Sequence, residues 1–478
     1  MNLWVEQVVV QSCVLEGGSR NPRVSFFSWN RINGIKDYWW KTSSVESQDK
    51  GVPRSGYVSK IQDISKLDRI ICLTGIRRCG KTTILYQYID HLLTVSEVNK
   101  IVYIKIDDLI GKIDSLHDIL NVYHELTGID PFREEVYFLF DEIHVRKGWQ
   151  LELKYYMDSH AKCRFIISGS SKSLIYLDAS ESLAGRIAFI DVFPLTFREY
   201  LQFNNMTFST LTDTSLSPDA FSDIEESFYS IIENKHSIIY YLGQYFDTGG
   251  FPEWFKIRDM DQWYRTIVED YFALILFKDI VSVFRVKDPL LLDTLVRDIA
   301  TFSTNRFSYK GLSERLGVDR ETLKLYLYYL QSSMMVFIAD VYTSSKKAVE
   351  KREKKLYFWE EGLRRALTLD KDEGKTAENV VAWHLIKKGY GSKPFFKPFY
   401  WKNKHEVDFV YNDAQILIPV EVKYKEQIKA NEVKGLIEFL DLYRLNMGIV
   451  VTKDIFKREE IGGYQILFIP IWFFLIII

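Results

Sequence analysis

Residues Gly75-Ile76-Arg77-Arg78-Cys79-Gly80-Lys81-Thr82 satisfy the pattern G-x-x-x-x-G-K-[ST] at every fixed position. The flanks suit it. Before the loop runs Arg69-Ile-Ile-Cys-Leu-Thr74, an apolar segment that reads as a buried strand. After it, from Thr83 to Leu93, apolar residues recur at helical spacing. Strand, glycine loop and helix form a cradle for phosphate: the glycines let the backbone aim its N–H groups inward, and the helix N-terminus adds partial positive charge. In such a loop Lys81 reaches the β- and γ-phosphates and the Thr82 hydroxyl ligates Mg²⁺. The expected nucleotide-binding set is Gly75, Ile76, Arg77, Arg78, Cys79, Gly80, Lys81, Thr82 and Thr83, with ATP and Mg²⁺ as the implied cofactors.

Further strands follow at Ile101–Ile106, Val136–Asp141 and Arg164–Gly169, alternating with helical stretches, which is the pattern of a parallel sheet covered by helices. The third apolar run ends in Phe138-Leu-Phe-Asp141-Glu142-Ile-His144. Asp141 is placed to hold the Mg²⁺ shell, and Glu142 to polarise the water that attacks the γ-phosphate. The next run ends in Ser168-Gly-Ser170-Ser171, where Ser168 or Ser170 can contact the γ-phosphate or the water, or cap a helix. Arg186, in Leu183-Ala-Gly-Arg186, reads either as a phosphate-sensing arginine or as one half of a surface ion pair.

These segments, with Phe193-Pro-Leu-Thr-Phe-Arg-Glu-Tyr200 and Thr248-Gly-Gly-Phe-Pro-Glu253, resemble the archaeal and bacterial AAA-type P-loop ATPases that carry a C-terminal domain of unknown function. The resemblance spans residues 58–478. It implies a RecA/AAA-like α/β core over residues 58–205 and a helical lid over 206–300. A winged helix over 301–365 and a nuclease-like α/β domain over 366–478 follow. Residues 1–57 do not match the usual short N-terminus of that family and read as an extension.

Within the middle module, Phe307 to Leu330 reads as helix, Gly317 turn, helix. Lys346, Lys347, Lys351, Arg352, Lys354 and Lys355 follow, opposed by Glu350 and Glu353. That local excess of positive charge suits a phosphate backbone. A protein-binding module with a solvated basic hairpin is the alternative.

At the C-terminal end, Lys404-His-Glu-Val-Asp408-Phe-Val410 and Ile418-Pro-Val-Glu421-Val-Lys423-Tyr-Lys425 read as adjacent strands. Residues two apart in a strand share a face, so Glu421 and Lys423 point together and Asp408 meets them from its neighbour. An acid followed by Glu-x-Lys is the arrangement of metal-dependent nucleases. In it Asp408 and Glu421 hold Mg²⁺ and Lys423 steadies the attacking water. Glu378, on a helix, is a candidate further ligand. The pattern resembles the restriction-endonuclease-like fold, either as a cleaving enzyme or as a catalytically silent relic.

The bulk composition adds limits. The chain has 478 residues and a formal net charge of −2, so any nucleic-acid contact is local rather than the work of a basic protein. The four cysteines, Cys13, Cys72, Cys79 and Cys163, lack metal-ligand spacing and suit a reducing cytoplasm. The apolar run Ile466–Ile478 is too short for a membrane span and is expected as a buried final strand. Expected partners are ATP, DNA or a protein, and further copies of the chain; no membrane contact is expected.

Overall fold

A computed structural model describes residues 38–109, 114–169, 175, 182–208, 211, 216–217, 220–343, 345, 352–368, 370–392, 396–413 and 415–478. Cys13, Ser170, Ser171, Lys346, Lys347, Glu350, Lys351 and part of the polar stretch 207–223 lie outside them. The described residues up to Thr74 and from Lys81 to Val192 group as one unit. Residues 75–80 group with those from Phe193 onward as a second.

The first unit is built on five parallel strands: β1 (Ile70–Thr74), β2 (Ile101–Lys105), β3 (Tyr137–Asp141), β4 (Arg164–Gly169) and β5 (Ile187–Asp191). Their order in the sheet is β2-β3-β4-β1-β5. A sheet covered on both faces needs strands that are apolar throughout rather than alternating. Accordingly, all five residues of β1 are buried. Ile70, Cys72, Val102, Phe138, Phe140, Phe165 and Ile167 meet Leu116, Leu120 and Tyr123 of the helix Leu116–Thr127, and Leu153 and Tyr156 of the helix Trp149–Asp158, in one core. Within the expected N-terminal extension, residues 38–57 pack against this unit. Trp39 is fully buried, and the indole N–H groups of Trp39 and Trp40 both donate to the Ile101 carbonyl, at 3.1 and 2.9 Å.

The second unit opens with helices. Thr196 starts the helix Phe197–Phe203 with a capping box, its hydroxyl accepting from the Glu199 N–H while Glu199 reaches back to the Thr196 N–H. Two stretches, Thr266–Phe272 and Leu274–Val281, are wound as π-helix, a rare form that concentrates at functional sites. Next come the helix Pro289–Phe302 and the pair Tyr309–Leu316 and Arg320–Ser332, turned at Gly317.

Nine strands make the second sheet: β6 (Arg306–Phe307), β7 (Val336–Val341), β8 (Lys354–Phe358), β9 (Phe399–Lys402), β10 (Glu406–Asn412), β11 (Leu417–Lys423), β12 (Met447–Thr452), β13 (Lys457–Ile461) and β14 (Tyr464–Pro470). They lie in the order β13-β14-β12-β11-β10-β9-β7-β8-β6. β7 pairs in parallel with β9, through Asp340 opposite Phe399 and Val341 opposite Tyr400. One sheet therefore runs through position 365, where the sequence suggests a division.

The last apolar run departs from expectation. β14 stops at Pro470, and Ile471–Ile477 forms a helix in which every residue is buried. A run apolar at every position carries neither a helical nor a strand period, so the pattern cannot choose between them. Proline, which favours the start of a helix and cannot continue a ladder, marks the change. Among the described residues no helix is long and apolar enough to cross a membrane.

Candidate functional site

The first unit gathers four of the expected nucleotide-site residues around one buried carboxylate. Asp141 ends β3 and is fully buried. Its Oδ2 accepts from the Thr82 hydroxyl at 2.6 Å and from the Tyr103 hydroxyl at 2.9 Å, and its Oδ1 from the Ser168 hydroxyl. Thr82 stands in the first turn of the helix Lys81–Leu92, and Ser168 on β4, the strand beside β3. Burial, then the charge of Asp141, pushes the Tyr103 phenol far above its ordinary value, so it stays a donor. All three donors are neutral hydroxyls.

Glu142 follows in a left-handed backbone conformation, φ 56°, which is uncommon for a residue with a side chain. Its N–H donates to the Ser168 oxygen at 3.1 Å, so one serine ties both acids to β4. Glu142 Oε2 is buried and lacks a hydrogen-bond donor among the described residues, with His144 Nδ1 3.3 Å away. Gly169 makes room for this pair. A Cβ there would stand 3.1 Å from His144 Nδ1 and 2.3 Å from the Ile175 side chain.

Along the loop, Gly80 has φ 97°, a value that only glycine adopts at ease, and Arg78 has φ 65°. Within the second unit, to which residues 75–80 belong, both loop arginines pair with carboxylates. Arg77 binds Asp279 through two nitrogens, at 2.9 and 2.7 Å, and Asp279 lies on the π-helix Leu274–Val281. Arg78 pairs with Glu253 at 2.8 Å and lies 4.6 Å over the Tyr271 ring, whose hydroxyl donates to the same Glu253. Cys79 and Lys81 are buried. Arg186 is half-exposed and binds Asp158 at 2.7 Å, as a surface ion pair.

The residues fit a magnesium nucleotide. A hydroxyl and a carboxylate 2.6 Å apart are hard oxygen donors of the kind Mg²⁺ takes, and among the described residues the side-chain donors to the carboxylate are hydroxyls. Beside them lies Glu142 Oε2, buried and without a hydrogen-bond donor among the described residues.

A second carboxylate group lies in the second unit. Asp408 on β10, Glu421 on β11 and Glu378 on the helix Glu373–Ser392 come together there, with Glu406 of β10. The Asp408 N–H donates to Glu421 Oε2 at 3.2 Å, and Asp408 Oδ2 accepts from the Val422 N–H at 3.0 Å. What the sequence did not suggest is the group in their midst. Lys355, expected in a basic stretch facing either phosphates or solvent, is 3% exposed. Its ammonium lies 2.9 Å from Glu378, 2.9 Å from Glu406 and 3.0 Å from Asp408. Tyr357, two residues on, donates to Glu378 at 2.8 Å, and Lys423 pairs with Glu421.

Lys354, its neighbour in the expected hairpin, pairs with Asp340 of β7, and Glu353 with Arg306 at 2.8 Å. The basic hairpin thus loses two of its charges to internal pairs. Both lysines stand on β8, whose alternate residues Lys355 and Tyr357 face the helix Glu373–Ser392. That spacing was the available signal.

The electrostatics follow from burial and these pairs. Burial pulls the Lys355 ammonium down, but Glu378, Asp408 and Glu406 more than offset it and hold it well above its ordinary value. Burial pushes the Asp408 carboxyl up, and the Lys355 and Lys423 ammoniums bring it below the usual range. Glu378 and Glu421 are both raised, by burial first and then by the charge of Asp408. Among the described residues no three or more His, Cys, Asp or Glu side chains are arranged to hold a metal ion. The acids here converge on an ammonium, so they do not fit a divalent cation.

Three family models match the chain: an AAA domain over residues 67–201, and two domains of unknown function, DUF8612 over 240–374 and DUF4143 over 373–474. An uncharacterized protein of Haemophilus influenzae is 24% identical over 435 residues, covering 88% of this chain and 98% of its own. The uncharacterized protein MJ1637 of Methanocaldococcus jannaschii is 27% identical over 430 residues, covering 86% and 85%. Among solved structures, a chain from Drosophila ORC bound to GC-rich DNA and Cdc6 aligns at TM-score 0.22 and 10% identity, over 65% of this chain and 89% of its own. PCH-2 of C. elegans aligns at TM-score 0.23 and 14% identity, over 44% and 51%. A glycine loop, a buried strand-end acid and five parallel strands lie inside the AAA match, so the chain carries an AAA-type P-loop domain followed by a DUF4143 domain.

Proposed function

We propose that the protein is an ATPase that binds ATP at Gly75–Thr83 and hydrolyses it beside Asp141 and Glu142. The observation that carries this reading is the group around Asp141. Thr82, Tyr103 and Ser168 hold its carboxylate, and Ser168 also holds the backbone of Glu142. When bound, Mg²⁺ neutralises charge on the β- and γ-phosphates. Lys81 and the loop amides orient the phosphates. Glu142 takes a proton from the attacking water, and His144 restrains the orientation of its carboxylate. Asp141 anchors Thr82 toward the cation.

The test is phosphate release by the full chain with MgATP. Lys81→Ala is expected to lose both ATP binding and turnover, whereas Glu142→Gln should keep ATP bound while turnover drops by about 10²–10⁴-fold. Wild-type turnover in both variants would refute the reading.

For the C-terminal half, a nucleotide-dependent switch or scaffold is favoured over a DNA-cleaving one. The favouring observation is the inward turn of Lys354 and Lys355, which removes positive charge from the surface and sets an ammonium among the acids. Binding of the full chain to a DNA duplex across a salt series tests the first point. A steep loss of affinity with salt would restore the DNA-contact reading.

A further inference from the structure

The carboxylates of the second unit have the spacing of a metal-dependent nuclease but a different centre. Four acids, Glu378, Glu406, Asp408 and Glu421, come from two strands and a helix. A divalent cation would sit where Glu378 and Asp408 both reach it. That place is taken: the Lys355 nitrogen is 2.9 Å from Glu378 Oε1 and 3.0 Å from Asp408 Oδ1, with Glu406 Oε1 also at 2.9 Å. An ammonium has three N–H donors and no acceptor, and here it finds three carboxylate partners.

Lys355 is also not a side chain that can easily swing away. Its strand, β8, is buried at all five residues and pairs with β6 and β7 on its two sides. Withdrawing the ammonium would leave three buried or half-buried acids facing each other without a counter-charge.

We propose that the Lys355 ammonium is the resident cation of this carboxylate group, standing where a divalent metal would, and that the C-terminal half is a nuclease-like fold closed to metal. Removing the ammonium while keeping its volume opens a latent site for a hard divalent cation, since Glu378, Asp408 and Glu406 then converge on nothing. The inference is independent of the ATPase reading, and its test contains no nucleotide.

The experiment is a Mn²⁺ titration of the full chain, with free Mn²⁺ followed by EPR, and a plasmid-nicking assay in the same buffer. Wild type and Asp408→Asn are expected to bind equal amounts of Mn²⁺ and to leave plasmid intact. Lys355→Met is expected to gain one Mn²⁺ equivalent, lost again in Lys355→Met/Asp408→Asn. A Mn²⁺ held by wild type and lost in Asp408→Asn overturns the proposal, as does nicking that Asp408→Asn abolishes. A folded Lys355→Met, with unchanged far-UV CD, that gains no Mn²⁺ also overturns it. If Lys355→Met does not fold, the comparison of wild type with Asp408→Asn decides alone: equal binding supports the proposal and unequal binding ends it.

Discussion

Among the described residues, the carboxylates around Asp141 and those around Asp408 differ in what holds them. Asp141 in the first unit is held by hydroxyls, from Thr82, Tyr103 and Ser168. Asp408 in the second is held by the Lys355 ammonium and the Val422 N–H, with the Lys423 charge lowering its pKa further. Hydroxyl donors orient a carboxylate and leave its charge to attract a cation. Ammonium donors cancel the charge. Similar acids on similar strands are thus fitted for opposite ends, and the sign of the neighbour decides which.

A third buried carboxylate extends the series. Glu360 accepts from the Gly250 and Leu363 N–H groups, and burial, only partly opposed by these amides, pushes it up to about 8. Held by amides and without an ammonium of its own, this acid keeps its proton.

The sharpest way to break the contrast is at Asp141. Asp141→Asn keeps the volume and removes the charge, so MgATP turnover is expected to fall about a thousandfold, or about 4 kcal/mol of transition-state stabilisation. Steady-state phosphate release reads this, and a loss under tenfold would mean that the charge is not what the hydroxyls preserve. Next in size is Arg77→Ala, which leaves the nearly buried Asp279 without its bidentate partner. A loss of about 3 kcal/mol is expected, at the low end for breaking a buried pair because Arg77 keeps some exposure. Urea unfolding measures it.

The third prediction concerns Glu360. Its folded pKa lies above the unfolded one, so the folded state binds the extra proton between about pH 4.5 and 8. Stability from this group is therefore full at the acid end and declines as pH rises, by about 1.4 kcal/mol per pH unit. Denaturation midpoints at pH 5.5 and 8 should converge in Glu360→Gln; an unchanged pH slope would reassign the titration. The smallest effect is at Tyr103→Phe, which removes one of three donors to Asp141 and should cost about 1 kcal/mol of stability. A thermal melt checks it, and no change would mean that Thr82 and Ser168 suffice.

The first unit was largely legible because its chemistry is local in sequence. Loop, strand and helix around Lys81 are contiguous, and Asp141 and Ser168 end apolar runs that could only be buried parallel strands. The order β2-β3-β4-β1-β5 was not legible, since nothing in the runs states which strand neighbours which. Tyr103 was missed for the same reason: its role depends on β2 lying beside β3.

The second unit was half legible. Asp408 and Glu421 meet across β10 and β11, as strand alternation implies, and Glu378 reaches Lys355 beside them from a helix. Lys355 reads as part of an exposed basic stretch, facing either phosphates or solvent, because a lysine among lysines is ordinarily a surface residue, and only the pairing of β8 with β7 and β6 turns it inward. The helix Ile471–Ile477 escaped notice because an unbroken apolar run has no period to read.

The continuity of the nine-stranded sheet has a practical consequence for anyone who would take the protein apart. A fragment cut at position 366, where the sequence suggests a division, would keep Glu378, Glu406, Asp408 and Glu421 and leave Lys355 behind on β8. It would also strip β9 of its neighbour β7 and bare a sheet edge. Such a piece is expected to scavenge divalent ions and to aggregate. An assay run on it would report the behaviour of the cut, not of the protein.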